Sequence, residues 1–178
     1  MTDSNLHIMV DLETMGVSND AAILSIGAVL FDPHHIVDQF HLRVDLEGQA
    51  SCGRTMDAST IMWWLTPDKA DARANLLALR PVSLDSALSS FSVWFGETSL
   101  PLWGNGATFD NVILRSAFKG VGLKCPWGFW HDRCYRTVKA LAPDVPLVRE
   151  GVHHDALADA LSQTRHLQVI WDKLGVVG

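Results

Sequence analysis

Residues 6–16 read Leu-His-Ile-Met-Val-Asp-Leu-Glu-Thr-Met-Gly. Leu6–Glu13 is a short apolar run ending in acids, which reads as a β-strand. Asp11 and Glu13 stand two apart. On a strand, side chains at i and i+2 share a face, so both carboxylates converge at the strand's C-terminal end. Each follows an apolar neighbour, Val10 or Leu12, which sets the pair at the edge of a core. Outward from this stretch, Gly16, Asn19 and Asp20 mark a turn into a second apolar, partly β-branched run, Ala21–Phe31. Asp32-Pro33 marks the next turn, and Val37–Val44 alternates as a third strand. Three strands joined by short connections predict an antiparallel meander.

Beyond residue 44 the pattern changes. Ser59–Leu65 and Asp68–Leu79 read as helices. Ser83 is placed to cap a third, in which Leu84, Leu88, Phe91 and Phe95 recur at helical spacing and form one core-facing stripe. Pro101–Gly104 reads as a short strand, and residues 111 to about 119 as a helix stopped by Gly120 and Gly122. Trp127–His131 reads as another strand and Tyr135–Ala142 as a helix before Pro143 and Pro146. A last helix begins near His154 and turns Leu157, Leu161, Leu167, Ile170 and Trp171 inward. The order βββ, helices, β-α, β-α-α predicts an α/β fold, a mixed sheet flanked by helices. By analogy, an RNase H-like arrangement has that order.

The chain has 178 residues, 48% hydrophobic and 19% charged, which suits one globular domain across 1–178 and excludes a disordered chain. No apolar run reaches the roughly 18–20 residues that span a bilayer, and MTDSNLHIMV lacks the basic and hydrophobic regions of a secretory signal. Three scattered cysteines, Cys52, Cys125 and Cys134, fit neither a disulfide framework nor a CxxC zinc site. Reduced thiols in a cytoplasm are the expectation. The net charge of −6 is unevenly spread. Residues 115–149 carry seven basic side chains against two acids, Asp132 and Asp144, a local balance of +5. That stretch permits a phosphate-bearing partner and equally describes a solvated basic surface.

Two further stretches carry acids in suggestive places. In WGNGATFDN, residues 103–111, a strand runs into a Gly-rich turn and then a helix opening near Asp110, an arrangement that also suits a plain N-cap. In HHDALADA, residues 153–160, Asp155 reads as an N-cap or first-turn acid favoured by the helix dipole. Asp159 falls instead among the apolar positions of its helix, while Ala156 and Ala160 leave room for close approach. His154 precedes the helix on a loop. His153 reads as a loop or strand-end residue, and His34, His35 and His131 as surface-turn residues.

Together these elements resemble the histidine-bearing branch of the DEDD 3′-5′ exonuclease superfamily, which includes oligoribonuclease, RNase T and polymerase proofreading subunits. Its Asp-x-Glu-Thr motif is matched by Asp11, Glu13 and Thr14. Its second motif is similar to Asn105 through Phe109-Asp110, and its His-x-x-x-x-Asp motif to His154 and Asp159. The resemblance spans Ile8 to Leu167. Met-Trp-Trp-Leu at 62–65 and Trp-Gly-Asn-Gly at 103–106 look most like small bacterial and phage 3′-exonucleases of the exodeoxyribonuclease VIII-like and mycobacterial exoribonuclease types.

The resemblance implies a site of Asp11, Glu13, Asp110 and Asp159 holding two Mg²⁺ or Mn²⁺ ions. Asp11, Glu13 and Asp159 would hold the first ion, Asp11 would bridge to the second, and Asp110 would reach it through water. His154 would serve as the general base. Oxygen-only ligands favour Mg²⁺ or Mn²⁺ over zinc, and paired ions suit phosphodiester hydrolysis. Thr14, Met15 and Phe109 would contact the terminal nucleotide of a single-stranded RNA or DNA 3′ end. Of the adjacent Trp63 and Trp64, about 100° apart on a helix, one faces the core and the other is free to face the cleft. Relatives that form homodimers lend basic residues to a partner's cleft, a role open to residues 115–149. The rivals are an RNase H-type endonuclease, which lacks the His-x-x-x-x-Asp ending, and a catalytically silent exonuclease fold serving as a nucleic-acid-binding or interaction module, which would need a broken acid set.

Overall fold

The structure, a computed structural model, describes residues 5–96 and 100–176. The meander is present: β1 (His7–Thr14) pairs antiparallel with β2 (Ile23–Phe31), and β2 with β3 (Ile36–Val44). Then come helices α1 (Ala58–Trp64) and α2 (Ala70–Ala78), a two-residue strand β4 (Pro81–Val82) and helix α3 (Leu84–Phe95). After them run β5 (Leu102–Gly104), α4 (Asp110–Gly120), β6 (Asp132–Cys134), α5 (Tyr135–Ala140) and α6 (Ala156–Leu174). The sheet order is β4-β3-β2-β1-β5-β6, with β5 parallel to β1 and β6 parallel to β5. This is the mixed sheet that the element order implies.

Strand alternation on β1 sorts the two layers. Ile8, Val10 and Leu12 face a core built with the Leu84, Leu88, Phe91 and Phe95 stripe of α3 and Ile113, Leu114 and Phe118 of α4. Met9 faces the other side, where Phe31, Trp103, Tyr135, Leu167 and Trp171 pack. Asp11 and Glu13 therefore share the Met9 face, under α6. Gly27, paired with Asp11, lets α6 come that close: a Cβ there would stand 2.2 Å from the Ala156 carbonyl carbon.

Two local expectations are corrected. Trp127–His131 is not a strand; its aromatics suggest one, but Pro126 and Gly128 break the run, and pairing with β5 begins only at Asp132. Trp127 is instead a core residue whose Nε1 donates to Asp132 Oδ1 at 2.8 Å. Ser83 occupies the N-cap of α3, yet its hydroxyl contacts Ser86 Oγ at 2.8 Å and no helix amide. The last helix begins near His154 as expected, at Ala156, and Asp155 is its N-cap, with Oδ1 accepting from the Ala158 amide at 3.0 Å. Cys52, Cys125 and Cys134 are all unpaired thiols. Among the described residues no helix is long and apolar enough to cross a membrane.

Candidate active site

A cleft of about 520 Å³ opens at the C-terminal ends of β1 and β5 and is lined by Asp11, Glu13, Asp110, His154 and Asp159 together. Each arrives by a different route. Asp11 and Glu13 project from β1 for the alternation reason above. Asp110 begins α4, and Phe109 holds the N-cap position. β1 and β5 stop pairing at Val10–Gly104, which leaves the Leu12 amide free on that edge; Asp110 Oδ1 accepts from it at 3.2 Å. Asp159 sits in the first turn of α6, 7% exposed.

Ligand oxygens of Asp11, Glu13 and Asp159 lie within 4.8 Å of one another. At an effective dielectric near 20, two full charges about 4 Å apart cost about 4 kcal/mol. The chain answers by raising the carboxyl pKa values and by supplying a counter-charge. Burial first, and then Asp110, Glu13 and Asp159, hold the Asp11 carboxyl well above the usual carboxylate range, against the pull of the Gln163 amide. Burial and the Asp159 and Asp110 charges push Glu13 up to about 8. Burial lifts Asp110 to about 7, partly offset by the Leu12 amide. Arg149 supplies a counter-charge, its guanidinium 2.7 Å from Asp159 Oδ1. Asp110 Oδ2 is buried with no hydrogen-bond partner. A buried, unpartnered carboxyl oxygen beside the raised carboxyls of Asp11 and Glu13 fits a hard divalent cation, which would supply the missing positive charge.

His154 has φ 68°, a left-handed conformation that a non-glycine residue rarely adopts. Its amide donates to Asp159 Oδ2 at 2.9 Å, which fixes the turn against the site. Its ring meets Trp63 edge-on at 4.7 Å and stacks on His153 at 3.7 Å. Burial, then the neighbouring His153, hold the His154 imidazole down to about 4, so it is neutral at neutral pH. His153 is exposed on the same loop.

Phe109 and Thr14 both line the cleft beside the carboxylates. The Thr14 hydroxyl donates to the Gly16 carbonyl at 2.7 Å and shapes the turn. Met15 stands behind that wall, packed on the Leu24, Trp64 and Ala72 cluster. Its amide donates to Ala22 O at 2.8 Å and its carbonyl accepts from Asp57 at 2.7 Å. Trp64 is the inward tryptophan, donating from Nε1 to Thr14 O at 3.0 Å, whereas Trp63 faces the cleft. Of the seven basic residues at 115–149, Arg136, Lys139 and Arg149 reach the cleft. Arg115 is spent on Asp132 at 2.6 Å.

Gln163 is a site residue that sequence reasoning missed. It lies one turn beyond Asp159 on α6, is 5% exposed, and donates from Nε2 to Asp11 Oδ1 at 2.8 Å. The signal for it was the i, i+4 spacing from Asp159, which puts a polar side chain on the same buried face. Arg149 was read only as part of a basic stretch. Its loop is tied along α6 by Val145 O to His166 Nε2 at 2.9 Å and the Glu150 amide to Ser162 Oγ at 2.9 Å.

Residues 6–171 match the model of the Rv2179c-like 3′-5′ exoribonuclease domain. An exodeoxyribonuclease of Enterobacteria phage T4 is 26% identical over 157 residues, covering 72% of this chain and 68% of the phage protein. The nuclease domain of 3′hExo, a DEDDh family member solved bound to rAMP, superposes with a TM-score of 0.65 at 17% identity, covering 97% of this chain and 94% of that one. E. coli exonuclease I in complex with a 5cy-dT13 oligonucleotide superposes with a TM-score of 0.69 at 15% identity over 97% of this chain. This chain spans only 42% of exonuclease I. Over nearly its whole described length, therefore, the chain belongs to the Rv2179c-like 3′-5′ exoribonuclease domain family and is a 3′-5′ exonuclease.

Proposed function

We propose that residues 1–178 act as one exonuclease unit that removes nucleotides singly from the 3′ end of single-stranded RNA or DNA and releases 5′-mononucleotides. One observation carries the reading: four carboxyls from β1, α4 and α6 meet in one cleft with a neutral imidazole beside them. Asp11, Glu13, Asp110 and Asp159 would hold two divalent ions, Mg²⁺ or Mn²⁺. Bound there, such ions supply Lewis-acid stabilisation of charge on the phosphate and its leaving oxygen.

The side chains supply the rest. His154 accepts a proton from the attacking water as its oxygen bonds to phosphorus. The bond from phosphorus to the 3′-oxygen of the preceding nucleotide then breaks, and that oxygen takes up a proton. Asp159 orients the base by accepting from the His154 amide. Thr14 and Gly16 form a wall beside Asp11 and Glu13 that stops the strand from running past, with Met15 bracing it from behind. Phe109, facing the same cleft, stacks on the terminal base, a contact worth about 1–3 kcal/mol. Arg136, held on the Asn105 carbonyl at 2.6 Å, and Lys139 meet backbone phosphates along the cleft.

The test uses end-labelled RNA and DNA oligonucleotides with Mn²⁺, then with excess EDTA, alongside a circular single strand of the same sequence. A one-nucleotide ladder from the 3′ end, abolished by EDTA, is expected. Rapid cleavage of the circle would make the protein an endonuclease and overturn the reading.

A further inference from the structure

The cleft holds a second donor set, which joins His153, unused in the exonuclease reading, to His154 and Asp159. Ring nitrogens of His153 and His154 and a carboxylate oxygen of Asp159 lie within 4.8 Å of one another. Consecutive residues in an ordinary extended or helical chain point their side chains apart. Here φ 68° at His154 folds the chain back, and the two rings stack with centroids 3.7 Å apart and planes inclined at 23°. The turn is fixed from below, because Asp159 Oδ2 accepts from the His154 amide. A strained backbone has thus brought two imidazoles to one carboxylate at the mouth of the cleft.

The chemistry of this set differs from that of its neighbour. Asp11, Glu13 and Asp159 offer oxygen alone, the preference of Mg²⁺ and Mn²⁺. Two imidazoles and one carboxylate match zinc and the late first-row divalent ions, which bind nitrogen far better than Mg²⁺ does. His153 is exposed, so an ion can enter from solvent and keep water as a fourth ligand. Asp159 already accepts from Arg149 on Oδ1 and from the His154 amide on Oδ2, but a carboxylate has about four lone-pair sites and retains capacity for a metal.

We propose that His153, His154 and Asp159 form a zinc-binding site at the rim of the catalytic cleft, and that zinc there inhibits the exonuclease. An imidazole nitrogen that coordinates zinc has no lone pair left for the proton of the attacking water. Asp159 is shared between the two donor sets, so zinc also perturbs the oxygen-only site. The inhibitory half rests on the reading of His154 as the base; the binding half does not.

The experiment measures binding and activity separately. Zinc is titrated by calorimetry into the full chain in excess Mg²⁺, which occupies the oxygen-only set, and Co²⁺ is added as a spectroscopic probe of nitrogen coordination. One equivalent of zinc should bind, and Co²⁺ should give an intense visible band of low-coordinate nitrogen ligation. His153→Ala changes an exposed loop residue outside the catalytic machinery, and an unchanged melting curve confirms its fold. It should weaken zinc by at least about tenfold, the loss that even outer-shell changes cause at metal sites, and erase the Co²⁺ band. Its zinc-free, Mn²⁺-supported activity should remain, while inhibition by zinc should need at least about ten times more metal. Zinc binding that is absent in Mg²⁺, or equally tight in His153→Ala, would overturn the proposal. Zinc bound through His153 to a chain without nuclease activity would keep the site and sink the exonuclease reading instead.

Discussion

At the scale of single residues, the proposed base and the histidine before it can be told apart by mutation. His154 lies beside the carboxyl cluster with its amide on Asp159, and its neutral ring is ready to accept a proton. Removing it should lower kcat by roughly 10²–10⁴, the usual contribution of a positioned base. His153→Ala should change kcat far less; single-turnover assays on one oligonucleotide compare the two directly. The reverse order would mean that the histidine motif is registered one residue too late. Gln163 supports Asp11 as an outer-shell partner supports a metal ligand. Gln163→Leu fills similar space without the amide, so the Mn²⁺ concentration for half-maximal activity should rise roughly 10–100-fold. An unchanged metal requirement would show that Asp11 is oriented without it.

At the scale of elements, the site depends on how closely α6 rides on the sheet. Asp159 and Gln163 reach Asp11 only because Gly27 leaves no side chain between β2 and the first turn of α6. A methyl group there would collide with backbone, which cannot rotate away as a side chain would. Gly27→Ala should therefore lower stability by about 1–3 kcal/mol, the usual cost of overpacking. It should also reduce activity more than that loss of stability explains, because the helix carries Asp159 with it. Circular dichroism melting alongside activity measured well below the melting temperature separates the two effects. A variant with wild-type activity would show that α6 tolerates displacement.

At the scale of the whole molecule, the buried carboxyls couple metal, pH and stability. Glu13 at about 8 and Asp110 at about 7 hold protons in the metal-free fold that an unfolded chain would have released near its ordinary carboxyl values. The native state thus binds more protons than the unfolded one, and stability falls as pH rises through that window. His154, held down to about 4, acts oppositely: unfolding lets it bind a proton below about 6.5, so its contribution is lost as pH falls. The window from pH 6.5 to 8 isolates the carboxyls, and there the metal-free melting temperature should drop. Mn²⁺ should remove that drop and raise the melting temperature by several degrees, since a ligand at 100 times its Kd adds about 2.7 kcal/mol. Asp11→Asn, which removes one of the buried carboxyls that must ionise as pH rises, should raise the metal-free melting temperature at the top of that window and lose activity. Melting curves that neither pH nor Mn²⁺ shifts would count against a shared site.

Strand periodicity is local, and so the placement of Asp11 and Glu13 on one face was legible from residues 6–16 alone. The same holds for the meander, the α3 stripe and the Asp155 cap, each set by side chains a few positions apart. The run of aromatics at 127–131 misled because β-propensity reports packing as much as strand pairing, and Trp127 packs against Phe91, Phe95 and Phe118 without pairing. Nothing local announces that Asp110 would take the Leu12 amide across 98 positions, or that Gln163 would reach Asp11 across 152. Which tryptophan faces the cleft, where Met15 points and how Arg149 meets Asp159 were likewise settled by packing. The sequence alone determined the kinds of chemical group and their order along the chain. Their distances, burial and raised pKa values were decided only by the tertiary structure, because desolvation and charge repulsion depend on how closely β1, α4 and α6 approach one another.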